Sequence, residues 1–269
     1  MIPAVVRGVR RRLVLAIGVL VLLYLFVPVL VVVAFSFNDP AGRFNFTWSG
    51  FTLDSWRDPC SVPGMCEAVS RSLQIGVIAT VVATVLGSLL AFGLVRHQFR
   101  GRSSTSLLVF LPMATPEVVL GASLLTLFIN AGVATGFWTI VVAHILFTVS
   151  FVVVTVKARL AGFDSRLEEA AMDLYADEWQ TFRRITLPLA APGIFAGALL
   201  AFSLSFDDFI ITNFNSGNTI TFPMYVYGAA QRGVPPEVNV IGTAMFVLAL
   251  LCVGGAEVVR KARTGAPVS

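Results

Sequence analysis

Apolar residues dominate this chain in long runs separated by short polar segments. A run of about 20 residues is long enough to cross a hydrocarbon core of roughly 30 Å as a helix. Six runs occupy roughly residues 13–35, 72–95, 105–129, 137–156, 189–214 and 239–259. The pattern predicts an all-α polytopic membrane protein with one transmembrane domain over residues 1–269. Two runs are interrupted, the third by Pro112, Pro116 and Glu117 and the fifth by Pro192, Asp207 and Asp208. Prolines and acids persist in a span where neighbouring protein or water satisfies the groups involved. No internal repeat, low-complexity tract or separate polar domain breaks the series.

Composition agrees with the runs. Of 269 residues, 57% are hydrophobic and 13% charged, whereas soluble domains carry about a quarter charged residues. Short cytoplasmic loops accumulate Lys and Arg. With the N-terminus inside, the inner segments hold Arg7, Arg10, Arg11, Arg12, Arg96, Arg100, Arg102, Lys157, Arg159, Arg166, Arg183, Arg184, Arg260, Lys261 and Arg263. The outer segments hold only Arg43, Arg57, Arg71 and Arg232. Both termini are therefore expected in the cytoplasm. The net charge of +4 and the pI near 9.3 follow from the same distribution. Nucleic-acid binding is not implied, because it needs cations clustered on one face. The run from Leu13 to Phe35 exceeds the 7–15 apolar residues of a signal peptide, and no small-x-small cleavage site follows it. It reads as a retained helix.

Residues 36–71 form the longest outer segment, with turn signals at Asp39-Pro40, Gly42, Asp58-Pro59 and Pro63-Gly64. Cys60 and Cys66 bracket a short turn-forming spacer there. An oxidising outer face would allow a disulfide, and two free thiols are the alternative. Cys252, in the last run, reads as a packing residue. The three cysteines make no two-pair zinc pattern.

The polar segment 157–188 carries the strongest local signals. Ser165-x-x-Glu168 has the form of a capping box, and Asp177-x-x-Gln180 repeats it, so two short helices joined near Tyr175-Ala176 are expected. Along the first, Leu167, Ala171 and Leu174 recur at helical spacing, while Glu168, Glu169 and Asp173 face elsewhere. Small side chains at Ala170 and Ala171 permit close approach of another surface. A helix lying on the membrane would usually be basic on its polar face. This one is acidic.

Glu169-Ala170-Ala171, a long gap, then Ile185-Thr186-Leu187-Pro188 resembles the EAA loop of the permease subunits of type I ABC importers. The resemblance implies that Glu168, Glu169, Ala170, Ala171, Leu174, Tyr175, Leu187 and Pro188 form a coupling segment, with Glu169, Ala170 and Ala171 in a cleft of a separate ATP-binding subunit. The family usually has Gly where this chain has Tyr175. Gly supplies a positive-φ turn there, a conformation unfavourable for a bulky residue.

Further stretches are similar to the second permease subunit of spermidine/putrescine importers. They are Pro116-Glu117-Val118-Val119-Leu120-Gly121, Ala143-His144, Trp179-Gln180-Thr181-Phe182 and Ser205-Phe206-Asp207-Asp208-Phe209. The resemblance implies a homologous partner permease, two ATP-binding subunits that use ATP and Mg, an outer substrate-binding protein and a place in the bacterial inner membrane. The resemblance makes polyamines the leading solute, and another small solute is the alternative, since permeases for ferric ion, thiamine and other solutes share the fold.

Two acids bear on a cationic solute. Glu117 lies fifteen residues beyond Arg102, and Asp207 fifteen beyond Pro192. At about 1.5 Å per residue both would sit ~22 Å from the inner surface, where they are expected to meet with His144 nearby. Acids within spans commonly line a water-filled path. The alternatives are that Asp207 and Asp208 cap a shorter helix, and that His144 makes a hydrogen bond between helices. Asp208, about 100° round the helix from Asp207, is expected to point elsewhere.

No catalytic constellation is visible. Neither Lys157 nor Lys261 stands in a Gly-x-x-x-x-Gly-Lys-Ser/Thr loop, and His-Glu-x-x-His and Gly-x-Ser-x-Gly are missing. ATP is expected to be hydrolysed by a partner, and no cofactor is expected on this chain. A stand-alone secondary transporter would be expected to show inverted repeats with broken half-helices, and a scaffold would not need buried acids.

Overall fold

A computed structural model describes residues 4–42, 44–164 and 166–264. Arg43, the expected cap Ser165, and the side chains of Cys252, Arg7, Arg10, Arg11, Arg260, Lys261 and Arg263 lie outside what is described. In chain order the helices are α1 (Ala4–Phe35), α2 (Asp54–Arg57), α3 (Met65–Arg96), α4 (Arg102–Ala114), α5 (Glu117–Asn130), α6 (Phe137–Ala161), α7 (Arg166–Asp173) and α8 (Glu178–Thr181). A π-helical turn (Phe182–Thr186) follows, then α9 (Leu187–Asp207), α10 (Ile210–Asn215), α11 (Phe222–Arg232) and α12 (Pro236–Thr264). Among the described residues there is no strand, only a bridge between Asn38 and Phe51.

Among the described residues, four helical stretches are long and apolar enough to cross a membrane: Arg12–Phe35, Met65–Arg96, Phe137–Ala161 and Glu178–Asp207. The bent pair α4 and α5 makes a fifth if taken as one span, and the apolar part of α12, Pro236–Leu251, is shorter. Both interrupted runs break where their sequence is polar or restricted. Thr115 is extended because the following Pro116 disfavours the helical region for it, and α4 and α5 meet at 106°. The fifth run stops at Asp207, with Asp208 extended before α10.

The chain divides into two compact units, Met1–Cys66 with Val226–Ser269, and Glu67–Tyr225. In the first, α1 packs on α12 and the α1–α3 connection is tied by side chains. Asn38, fully buried, donates through Nδ2 to Asn45 Oδ1 (2.6 Å) and to the Thr47 carbonyl (2.9 Å). Its Oδ1 accepts from the Ser49 amide at 2.8 Å, and Asn45 Nδ2 donates to the Phe35 carbonyl at 2.8 Å. Phe37 stacks on both Phe51 and Trp56. Ser55 and Ser61 donate to Glu237 Oε1 at 3.1 and 3.2 Å, linking this connection to α12.

Cys60 and Cys66 are joined by a disulfide, with Cα atoms 5.5 Å apart. Non-reducing peptide mapping is expected to recover one cross-linked peptide containing both. An impermeant maleimide should label neither in intact cells. Closing so short a loop stabilises by about 2–3 kcal/mol at most, so reduction should loosen the α1–α3 connection without unfolding the chain.

The second unit is built around α6, the most deeply buried span. One core joins Ala83, Ala91 and Leu94 of α3 to Val152, Val153, Val156 and Leu160 of α6 and to Ala190 and Ala201 of α9. Small residues bring these backbones together, as is usual between membrane helices. A Cβ at Gly87 would lie 2.7 Å from that of Val152, so α3 and α6 could not pack this closely around any larger residue.

Candidate functional site

The polar segment between α6 and α9 forms two short helices, and its turn follows from backbone chemistry. The Tyr175 amide donates to the Met172 carbonyl (3.0 Å) and the Ala176 amide to the Ala171 carbonyl (3.1 Å). This pairing is the Schellman arrangement, in which the residue after the helix takes a left-handed conformation. Tyr175 has φ of 66°. It therefore occupies the positive-φ turn for which glycine is the usual choice. Asp177 then caps α8, accepting from the Gln180 amide at 2.7 Å.

The junction with α9 follows from Pro188. Lacking an N–H, proline cannot donate to the Arg184 carbonyl, and its ring crowds that carbonyl. The preceding turn widens to a π-helix, with the Leu187 amide reaching back to the Phe182 carbonyl. Leu187 and Pro188 are exposed at the start of α9.

The expected coupling residues separate into two sets. Glu169 and Ala170 are exposed, Leu174 is 82% and Tyr175 98% exposed, and Trp179 also projects. Ala171, by contrast, is buried. Glu168 departs from the acidic stripe on which its spacing placed it. Its carboxylate turns inward and pairs through both oxygens with the two terminal nitrogens of Arg96, at the end of α3. Thr186, in the π turn, donates to the same carboxylate. A forked, charge-assisted pair outweighs exposure to water at a partly buried position. Sequence reasoning counted Arg96 only as an inner cation, and no local signal links residues 72 positions apart.

Because Tyr175 holds a left-handed conformation, Tyr175→Gly should relieve strain of roughly 1–2 kcal/mol while keeping the turn. Transport is expected to be retained. Thermal unfolding of the solubilised protein and an uptake assay check the two halves of this expectation.

The acids of the spans are arranged differently from the simple helical projection. Glu117 is exposed in the first turn of α5 and Asp207 is exposed at the end of α9. The structure does not join them through His144. That histidine, on α6, is 1% exposed. Its Nδ1 lies 2.7 Å from Ser205 Oγ, and its Nε2 lies 2.9 Å from Thr212 Oγ1 and 3.3 Å from Asp208 Oδ2. Asp208 also accepts from the Thr212 amide (2.7 Å), the Thr212 hydroxyl (2.8 Å) and the Ile211 amide (3.3 Å), which caps α10. With the Thr212 hydroxyl donating to Asp208, its oxygen accepts from His144 Nε2–H. The cluster ties α6, α9 and α10 together. In turn α10 packs on α5, where Asn215 Nδ2 donates to the Gly121 carbonyl at 3.3 Å. Asp208 does point away from the exposed Asp207, as expected, although not by a 100° helical step, because α9 ends at Asp207 and Asp208 is extended. Among the described residues, no group of three His, Cys, Asp or Glu side chains gathers as a metal site would need.

Long apolar helices, a buried polar cluster at a broken helix end and a two-helix polar loop between two spans define a polytopic helical membrane protein. Comparison with known proteins places it more closely. The chain belongs to the family of binding-protein-dependent transport system inner membrane components, whose model matches residues 83–256. It is 39% identical over 242 residues to the spermidine/putrescine transport system permease protein PotC of Escherichia coli K12, covering 90% of this chain and 91% of that protein. It is 38% identical to PotC of Haemophilus influenzae, over 86% of this chain and 89% of the relative. It is 37% identical to the putrescine transport system permease protein PotI of E. coli K12, over 89% and 86%. The fold is also that of a bacterial alginate ABC transporter solved with its pentasaccharide-bound periplasmic protein, with a TM-score of 0.68 at 17% identity over 97% of this chain and 99% of that one. The MetNI methionine ABC transporter gives 0.60 at 17% identity, over 73% and 94%.

Proposed function

We propose that this chain is a permease subunit of an ATP-driven importer of polyamines, forming half of a translocation path with a homologous partner permease. Two ATP-binding subunits hydrolyse ATP with Mg and an extracytoplasmic binding protein delivers the solute. The subunit spans the bacterial inner membrane six times, with both termini in the cytoplasm. The distribution of Lys and Arg supports that orientation, and residues 239–259 supply the sixth span.

The observation that carries the reading is the presentation of Glu169, Ala170, Leu174 and Tyr175 to solvent on a tightly turned helix pair. A surface of small, acidic and exposed apolar side chains in a membrane protein is suited to a soluble partner. Closure of the ATPase pair would move this loop and, through it, the spans. Similarity to permeases of spermidine and putrescine systems supports polyamines as the solute, and the exposed carboxylates of Glu117 and Asp207 suit a multiply charged amine along the path.

The test is reconstitution with the partner permease, ATP-binding subunits and binding protein in vesicles. Labelled putrescine and spermidine should enter only with ATP, and ATP turnover should rise with the loaded binding protein. Entry of neither amine by an active, ATP-hydrolysing complex would reassign the solute.

A further inference from the structure

We infer that the Arg96–Glu168–Thr186 clasp is a strut that carries displacement of the coupling loop into α3 and α9, making Arg96 and Glu168 positioning residues for transport and removing Glu168 from the docking surface. The inference rests on the proposed role of the loop as the ATPase contact.

Four observations converge on it. The docking candidate Glu169 and the inward Glu168 are neighbours on α7, so one rigid turn of helix carries both the outer surface and the inner anchor. The pair is forked, with both carboxylate oxygens engaged by both terminal nitrogens of Arg96. A forked pair fixes orientation as well as distance, which a single bond does not. The carboxylate oxygen Oε1 also accepts from Thr186, and Thr186 is the last residue of the π turn that leads into α9. Finally, the pair is shielded, with side chains 28% and 17% exposed for Arg96 and Glu168. Water therefore screens the attraction less than at an open surface.

The strut matters because it ties α7 to α3. Elsewhere α7 packs against α8 and the π turn, which run without interruption into α9, and Ala171 is its buried side chain. A neighbouring aromatic contact, Phe92 of α3 edge-on to Phe182, supports the same junction. With the clasp intact, a shift of α7 moves the end of α3 together with the base of α9. Without it, α7 can follow the ATPase while α3 stays behind.

The experiment uses the complete reconstituted importer and measures polyamine delivered per ATP hydrolysed. Loss of folded protein lowers the amount of active complex but leaves that ratio unchanged. Arg96→Glu and Glu168→Arg should each still co-purify with the ATP-binding subunits and lower the ratio about tenfold or more. The charge-reversed double variant should recover to within roughly threefold of the unmodified protein, as expected for two directly coupled residues. Glu168→Gln keeps the volume and the acceptor for Thr186, and should lower the ratio in the same direction even if the reversed variants fail to insert.

An unchanged ratio in Glu168→Gln overturns the strut. So does a double variant no better than its single parents when all three are inserted, and so does loss of co-purification in Glu168→Gln, which would return Glu168 to the docking surface. Failure of the proposed function is distinguishable, because the unmodified complex would then lack ATP-dependent uptake before any variant is compared.

Discussion

An importer carrying Ala170→Trp is expected to insert and fold normally and yet to move almost no polyamine. Ala170 is exposed on α7 beside the buried Ala171, so an indole there meets open space in the isolated chain and costs the fold little. Its effect would appear where another surface must approach to within side-chain contact. An interface centre disrupted in this way loses about 2 kcal/mol or more, which corresponds to roughly thirtyfold weaker association. Glu169→Lys should act at the same surface by reversing charge, again without touching the interior. Co-purification of the ATP-binding subunits and vesicle uptake are the two measurements. Normal uptake by an inserted Ala170→Trp protein would remove the docking role from this face. The contrast with Glu168→Gln is informative, because that variant should keep the ATPase bound and lose only the transmission of its motion.

Substitutions at the adjacent acids Asp207 and Asp208 are expected to fail in different ways. Asp208→Ala removes the acceptor for the Ile211 and Thr212 amides and the Thr212 hydroxyl. Each buried polar group left without a partner costs about 1–3 kcal/mol, so α10 should loosen from α5 and α6. The expected signs are a lower melting temperature in detergent and faster hydrogen exchange over residues 210–215, with correspondingly little assembled transporter. Asp207→Asn leaves that cluster intact and should fold like the parent. If its exposed carboxylate faces the path, import of spermidine should fall roughly tenfold, since a multiply charged amine loses a fixed opposite charge. Spermidine uptake at the parent rate by both Asp207→Asn and Glu117→Gln would leave those acids as helix-end residues.

Much of the loop was legible because its determinants are local. The Asp177 cap needs only a residue three positions on, whereas the run 105–129, read as one span, breaks before Pro116 into two helices at 106°. The left-handed turn at Tyr175 is a partial case. The expectation of a turn came from the position of the missing glycine, but only the backbone bonds of Ala171 and Met172 show that tyrosine accepts it. The pairing of Cys60 with Cys66 lay between two options until their Cα separation was known.

The buried cluster was legible as residue types and illegible as contacts. His144 and Asp208 were both singled out, but nothing in their spacing paired them, and the histidine was expected beside Asp207 and Glu117 instead. The histidine's bonds run to α9 and α10, 61 to 68 residues along the chain. The tie between Asn38 and Asn45 gave no warning either, since asparagines in a turn-rich segment are ordinarily solvated.

From sequence alone, the apolar runs determined that this chain is a membrane protein, because no other solvent accommodates so many long uncharged stretches. The cation distribution determined the expected orientation, and the spacing of the acidic, small and proline residues determined where the polar loop turns. These properties depend on neighbours within a few residues, or on simple totals. The tertiary structure alone decided that Glu168 faces Arg96 and Thr186, and that Asp208 closes a buried cluster while Asp207 stays outside. Those outcomes depend on which helix ends meet after packing. Arg96 lies 72 positions from Glu168 and His144 lies 64 from Asp208, so neither pairing can be read from neighbours along the chain.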